Sequence, residues 1–121
     1  MSRKRKLSVG VGTAKEALDR FEATWERAAR GARVTTAHRL TFESLPQLLK
    51  ELSPGRWVLL EALRTGGKMS VYALAKRLGR HYKNVHTDVA RLIDLGLIEK
   101  ARDGKVLVPW DVIAAELRFA A

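Results

Sequence analysis

The sequence predicts a mixed α+β fold, mainly α. Three observations point that way. Apolar residues recur at helical spacing in several stretches between residues 44 and 95, and serines and glycines punctuate those stretches as starts and stops. Two other segments differ: 33–43 is rich in β-branched and aromatic residues, and 97–110 has two apolar runs around an Asp-Gly pair. At 121 residues the chain is sized for one domain whose core needs no staple, and without cysteine it holds neither a disulfide nor a thiolate metal site.

Residues 1–12 open with Arg3, Lys4, Arg5 and Lys6 and continue through Ser8, Gly10 and Gly12. Such a composition buries too little apolar area to offset its ordering entropy, so a flexible basic arm is expected. Thr13 and Glu16 match a capping box for a helix over 14–30, with Leu18, Phe21 and Trp25 on one side and Gly31 as its stop. Residues 33–43 read as an extended strand in which Val34, Leu40 and Phe42 share a face. These apolar residues fall outside the core assembled further along, so Leu18, Phe21, Trp25, Val34, Leu40 and Phe42 are the expected dimer or partner interface.

Ser44 is placed to cap a short helix carrying Leu45, Leu48, Leu49 and Leu52, with Pro46 in its tolerant first turn. After Ser53, Pro54 and Gly55, the series Trp57, Leu60 and Leu63 with Val58, Leu59 and Ala62 marks a more buried helix that Gly66 and Gly67 end. Lys68, Met69 and Ser70 form a short strand candidate, and Ser70 can cap a helix over 71–78 with Leu74, Ala75 and Leu78 inward. Gly79 breaks the pattern, Arg80 and His81 turn, and a second helix runs over 82–95 on the stripe Val85, Val89, Leu92 and Ile93 until Gly96. Two short helices joined by a glycine-containing turn are the signature of a helix-turn-helix. Residues 97–101 and 105–110 flank Arg102, Asp103 and Gly104 as a hairpin, the Asp-Gly pair favouring a turn with positive dihedrals. That hairpin is the wing, and Asp111 is expected to cap a last helix reaching about Phe119. The predicted domains are therefore a flexible basic arm over 1–12, a dimerising or partner-binding helix and strand over 13–43, and a winged helix-turn-helix with a C-terminal helix over 44–121.

Charge gives this fold a partner. The formal net charge is +10, from 23 basic and 13 acidic residues, and a basic face gains affinity by displacing counterions from nucleic-acid phosphates. Between Glu61 and Asp88 there is no acidic residue, yet Arg64, Lys68, Lys76, Arg77, Arg80 and Lys83 all lie there. With the stripe of the second helix turned inward, Tyr82, Lys83, Asn84, His86 and Thr87 remain on its outer face as candidate base readers. Lysine donates to guanine O6 and N7, asparagine pairs with adenine N6 and N7, and a threonine methyl meets the thymine methyl. Ser70, Arg80, Arg91, Arg102 and Lys105, with Arg3, Lys4, Arg5 and Lys6 of the arm, are candidate phosphate ligands, which position a protein without reading sequence.

The order helix, short strand, Leu-Ala-Lys-Arg-Leu-Gly (74–79), helix, Leu-Gly-Leu-Ile-Glu (95–99) and hairpin resembles the MarR-like winged-helix regulators over residues 54–110. More narrowly, Phe42-Glu43-Ser44 with Leu48-Leu49, the stretch Gly79 to His86, and Val108-Pro109-Trp110-Asp111 look like a subfamily of transcriptional regulators predicted to be antitoxins of two-gene toxin-antitoxin modules. The resemblance implies dimeric binding to a pseudo-palindromic operator and, for an antitoxin, a protein toxin as a further partner. Many of the broader class open the recognition helix with serine and arginine. Here His81 and Tyr82 stand there, so contacts at those positions are not carried over.

Other classes fit less well. The chain has no glycine-rich phosphate loop with its lysine, no cysteine nucleophile, no His-Glu metal motif and no paired carboxylates, so no enzyme activity and no cofactor are expected. His81 and His86 are five residues apart, which does not put both on one helical face, and nothing completes a metal site around them. Trp25, Trp57 and Trp110 sit in apolar patterns that suit packing rather than base stacking. No apolar run approaches membrane-spanning length, and a cytoplasmic location is expected. The function read from the sequence is a sequence-specific, dimeric repressor on double-stranded DNA. The alternatives are an autoregulating antitoxin that binds a toxin, and a winged-helix module for protein assembly or RNA binding.

Overall fold

A computed structural model describes residues 4–12 and 38–117. The expected helix over 14–30, residues 33–37 of the expected strand, and Arg3, Leu18, Phe21, Trp25 and Val34 lie outside the described residues. Those described form a mixed α/β structure in which helices outweigh strands. Its elements are β1 (Lys6–Val11), β2 (His38–Phe42), α1 (Leu45–Glu51), α2 (Pro54–Gly66), α3 (Val71–Leu78), α4 (Tyr82–Asp94), β3 (Glu99–Lys100), β4 (Val106–Leu107) and β5 (Val112–Glu116). Among the described residues no helix is long and apolar enough to cross a membrane. The chain divides into two compact units, Leu52–Trp110 and a discontinuous one made of Met1–Glu51 with Asp111–Ala121.

The discontinuous unit corrects several sequence expectations. Residues 6–11 are not a flexible arm: β1 is the central strand of a parallel sheet ordered β2, β1, β5. Leu7 and Val9 alternate inward and are nearly fully buried, and this period of two, hidden between a basic run and two glycines, supplies the apolar area that the composition seemed to lack. The expected C-terminal helix is the strand β5 instead. Ala114, Ala115 and Glu116 favour a helix taken alone, but Val112 and Ile113 are β-branched and the ladder to β1 pairs their backbone, so tertiary context overrides propensity. Asp111 caps no helix; its carboxylate accepts from the Arg5 N–H at 2.8 Å and its own N–H donates to the Arg5 carbonyl at 2.8 Å, which starts the β1–β5 pairing.

Phe42, expected at an interface with another chain, is buried at 5 % exposure at the end of β2, in register with Val11. It packs within its own unit because β2 pairs with β1 and α1 packs against both strands, while Leu40 is half-buried. α1 starts as expected, with the Ser44 hydroxyl accepting from the Gln47 N–H at 3.3 Å and the Gln47 side chain accepting from the Glu43 N–H at 3.2 Å. Of its leucines only Leu48 is buried, and Leu45 and Leu49 face solvent. The expected boundary at residue 44 therefore moves: α1 and β5 both belong with β1 and β2, and the second unit begins at Leu52 and ends at Trp110.

Leu52–Trp110 is built from local signals. Ser53 caps α2 by accepting from the Arg56 N–H at 3.4 Å, with Pro54 at the first helical position, and Gly67 ends the helix at φ +79°. Ser70 caps α3 by accepting from the Ala73 N–H at 3.1 Å. Gly79 ends α3 in the left-handed conformation, φ +64° and ψ +31°, where a side chain is strained. Leu59, Leu63, Leu74, Val85, Leu92 and Leu97 reach zero exposure in this unit, and each such leucine contributes roughly 2 kcal/mol by leaving water. Met69 joins the hairpin through paired N–H to O bonds with Val106 at 3.1 and 2.9 Å, which makes the expected short strand a single bridge. The hairpin pairs Glu99 with Leu107 and Lys100 with Val106, a shorter ladder than expected, and Trp110 closes it by donating from its indole nitrogen to the Gly96 carbonyl at 2.9 Å.

Candidate functional site

α4 carries the candidate site because its two sides differ. Val85, Val89 and Leu92 are at most 2 % exposed, and they recur at spacings of four and three, so they fix which side of the helix faces the core. Tyr82, Lys83, Asn84, His86 and Thr87 are all exposed as a consequence. Four of them form two pairs, and Asn84 stands apart from both. Lys83 and Thr87 lie one turn apart, and the Thr87 hydroxyl donates to the Lys83 carbonyl at 3.0 Å, which satisfies its proton within the helix. Tyr82 and His86, also one turn apart, have ring centroids separated by 5.8 Å and tilted by 40°. These two side chains line a groove of about 440 Å³ whose other walls include Ser70 and Tyr72 of the α3 start and Lys100 and Gly104 of the hairpin.

His81 occupies the cap position of α4 without a side-chain hydrogen bond, so this helix, unlike α2 and α3, starts with no hydroxyl over its first amides. The same unit carries exposed cations. Lys76 and Arg77 on α3 and Lys83 on α4 are exposed, and Arg91 is half-buried one turn before the α4 end. At the hairpin tip Arg102 and Lys105 are exposed on either side of a turn closed by the Gly104 N–H donating to the Ala101 carbonyl at 3.0 Å, with Gly104 at φ +84°. Among the described residues the side chains of Lys83, Arg102 and Lys105 make no ion pair. Ser70 differs from them: its oxygen accepts the capping bond of α3, and its hydroxyl proton remains free to donate.

Two carboxylates shape this surface, Asp88, to which the sequence assigns no partner, and Asp103, which the sequence places in the hairpin turn. Asp88 accepts from Arg56 at 3.1 Å and from Arg80 at 2.8 Å, so Arg80 is not an unpaired cation. Its signal in the sequence is its position as the acid that ends the acid-free run, but its partner Arg56 is 32 residues away. Asp103 shapes the hairpin turn by accepting from the Lys105 N–H at 3.0 Å and pairing with Lys68 at 3.1 Å. The Lys105 amide and then the Lys68 ammonium hold its carboxyl below the usual carboxylate range.

Residues 51–115, more than half of the chain, match the HVO_A0114 family. The chain belongs to that family. No curated protein and no solved structure matches it. The HVO_A0114 stretch runs from the last residue of α1 through α2, α3, α4 and the hairpin into β5, so it contains all the candidates on α4, at Ser70 and Arg80, and on the hairpin. Lys4, Arg5 and Lys6, exposed at the start of β1, fall outside it, as do Leu40 and Phe42. Those basic residues belong to the discontinuous unit, and the backbone of Arg5 and Lys6 is tied to the strand pairing rather than free to sweep as an arm.

Proposed function

We propose that Leu52–Trp110 is a winged helix-turn-helix that binds double-stranded DNA, and that the chain acts as a dimeric, sequence-specific transcriptional repressor of the MarR-like kind. α4 is the recognition helix and the hairpin is the wing. The observation that carries this reading is the sidedness of α4: a fully buried stripe opposite Lys83, Asn84 and Thr87, all exposed and of the residue types that donate to, pair with or pack on base edges. The exposed Arg102 and Lys105 at the hairpin tip suit the flanking phosphates. A duplex of B-form suits such a helix better than RNA does, because the major groove of A-form RNA is too narrow to admit it.

The test is selection of bound fragments from random DNA at two salt concentrations, followed by anisotropy titrations of variants on the selected and random duplexes. Asn84→Ala and Lys83→Ala are each expected to cost about 1–3 kcal/mol on the selected duplex alone, while Lys105→Ala weakens both duplexes and flattens the salt slope by about 0.9. Equal losses on both duplexes for Asn84→Ala overturn its role as a base reader. Failure to enrich any sequence overturns the reading as a whole. Sedimentation of the intact chain tests the dimer, and a monomer at micromolar concentration rejects that part.

A further inference from the structure

Asp88 joins three elements of the Leu52–Trp110 unit. Its Oδ1 accepts from Nε of Arg56, in the first turn of α2, and its Oδ2 accepts from Nη2 of Arg80, in the turn that precedes α4. Both oxygens are engaged; the side chains of Arg56 and Asp88 are 17 % and 19 % exposed, so solvent ions screen that arm of the bridge less than they screen Lys83 or Lys105, while the Arg80 side chain is 35 % exposed. Asp88 lies one helical turn after Asn84, and a restraint on its carboxylate is therefore a restraint on how α4 is rotated where Asn84 sits.

We propose that Asp88 is a positioning and specificity-determining residue, which withholds Arg80 from the phosphates and uses it, with Arg56, to hold α4 in one orientation toward the bases. The proposal rests on the DNA-binding reading above, and it reverses the sequence expectation for Arg80. An unpaired Arg80 beside the recognition helix would attract every duplex equally, adding affinity without discrimination. Sharing Asp88 with Arg56, it belongs to a cluster of net charge +1 rather than the +2 of two bare arginines, and it steadies the surface that discriminates.

The experiment measures anisotropy of the intact chain on a selected and a random duplex across a salt series, for the parent and four variants. These are Arg80→Gln, Asp88→Asn, the two combined, and Asp94→Asn, which removes an exposed acid from the end of the same helix. Arg80→Gln is expected to leave the random-duplex salt slope unchanged while lowering the preference for the selected duplex. Asp88→Asn is expected to steepen that slope by about 0.9, the value of one added phosphate contact, and only when Arg80 is present. The ratio of selected to random affinity should fall about tenfold in Asp88→Asn and hold in Asp94→Asn, since only the former loses the orientation on which a base contact depends.

Identical behaviour of Asp88→Asn and Asp94→Asn overturns the proposal, and so does a slope flattened by about 0.9 in Arg80→Gln, because Arg80 would then already serve a phosphate. If circular dichroism finds Asp88→Asn unfolded, Arg80→Gln decides alone by the same two readouts. A parent with no preference for any duplex sinks the functional reading and this inference together. A selective parent whose slope loses one contact with Arg80 sinks only the inference.

Discussion

The two units of this chain reach a packed core by opposite routes. Leu52–Trp110 is continuous in sequence, and its helices α2, α3 and α4 pack on their immediate neighbours, with caps, stops and apolar stripes all set within a few residues of where they act. The other unit gathers β1, β2 and β5 from segments at residues 6, 38 and 112 into one parallel sheet, so no strand pairs with its neighbour through a tight turn. Parallel pairing requires long crossovers, and the loop-closure entropy of those crossovers is incurred before any contact compensates for it. Local order thus suits a surface that must present side chains in fixed positions, and the non-local sheet depends on segments far apart in the chain.

The comparison is most severely tested by cutting into each core. Leu63→Ala in α2 and Leu7→Ala in β1 are both expected to lose about 2–5 kcal/mol in denaturant unfolding, since each leucine is at most 4 % exposed. Hydrogen exchange sharpens the contrast: Leu63→Ala should lower amide protection first in α2, α3 and α4, and Leu7→Ala first in β1, β2 and β5. Loss of protection spread evenly over the chain by either change would dissolve the distinction between the two units.

Smaller effects probe the local signals alone. Gly79→Ala is expected to cost about 1–2 kcal/mol by thermal denaturation, because the residue sits at φ +64° while an added Cβ would meet no atom within 4 Å, leaving only backbone strain. Ser70→Ala should cost about 1 kcal/mol through loss of the α3 cap. Smallest is the pH response of the hairpin turn. The folded-state pKa of Asp103 is depressed, so its contribution is present above the unfolded carboxylate value and fades as pH falls through the folded one. Amide shifts of Gly104 and Lys105 in an acid titration should follow that loss, and Asp103→Asn should abolish the response.

How much was legible in the sequence follows the same division. Ser53, Ser70, Gly67, Gly79 and the Val85, Val89 and Leu92 stripe act within one or two helical turns, and they predicted α2, α3 and α4 with bounds close to those observed. The exposure of Lys83, Asn84 and Thr87 came with them, since burying one side of a helix leaves the other outward. β1 is illegible locally because its partners lie tens of residues away: Leu7 and Val9 look like two apolar residues in a basic, glycine-rich stretch until β2 and β5 flank them. β5 is obscured for the complementary reason, its alanines favouring a helix that the pairing with β1 overrules. The Asp88 bridge has no local signature either, because it depends on Arg56 in a different helix.

The parallel pairing of β1 with β5 also sets an order of events during synthesis. The ribosome releases the middle strand of the sheet early and one of its two neighbours only after Leu52–Trp110 is complete. Until then β1 carries a bare row of amides and carbonyls on that side, the kind of edge on which strands from other chains add. Nascent chains that stall before residue 112 should therefore be prone to pair with one another, even though their helical unit is already whole.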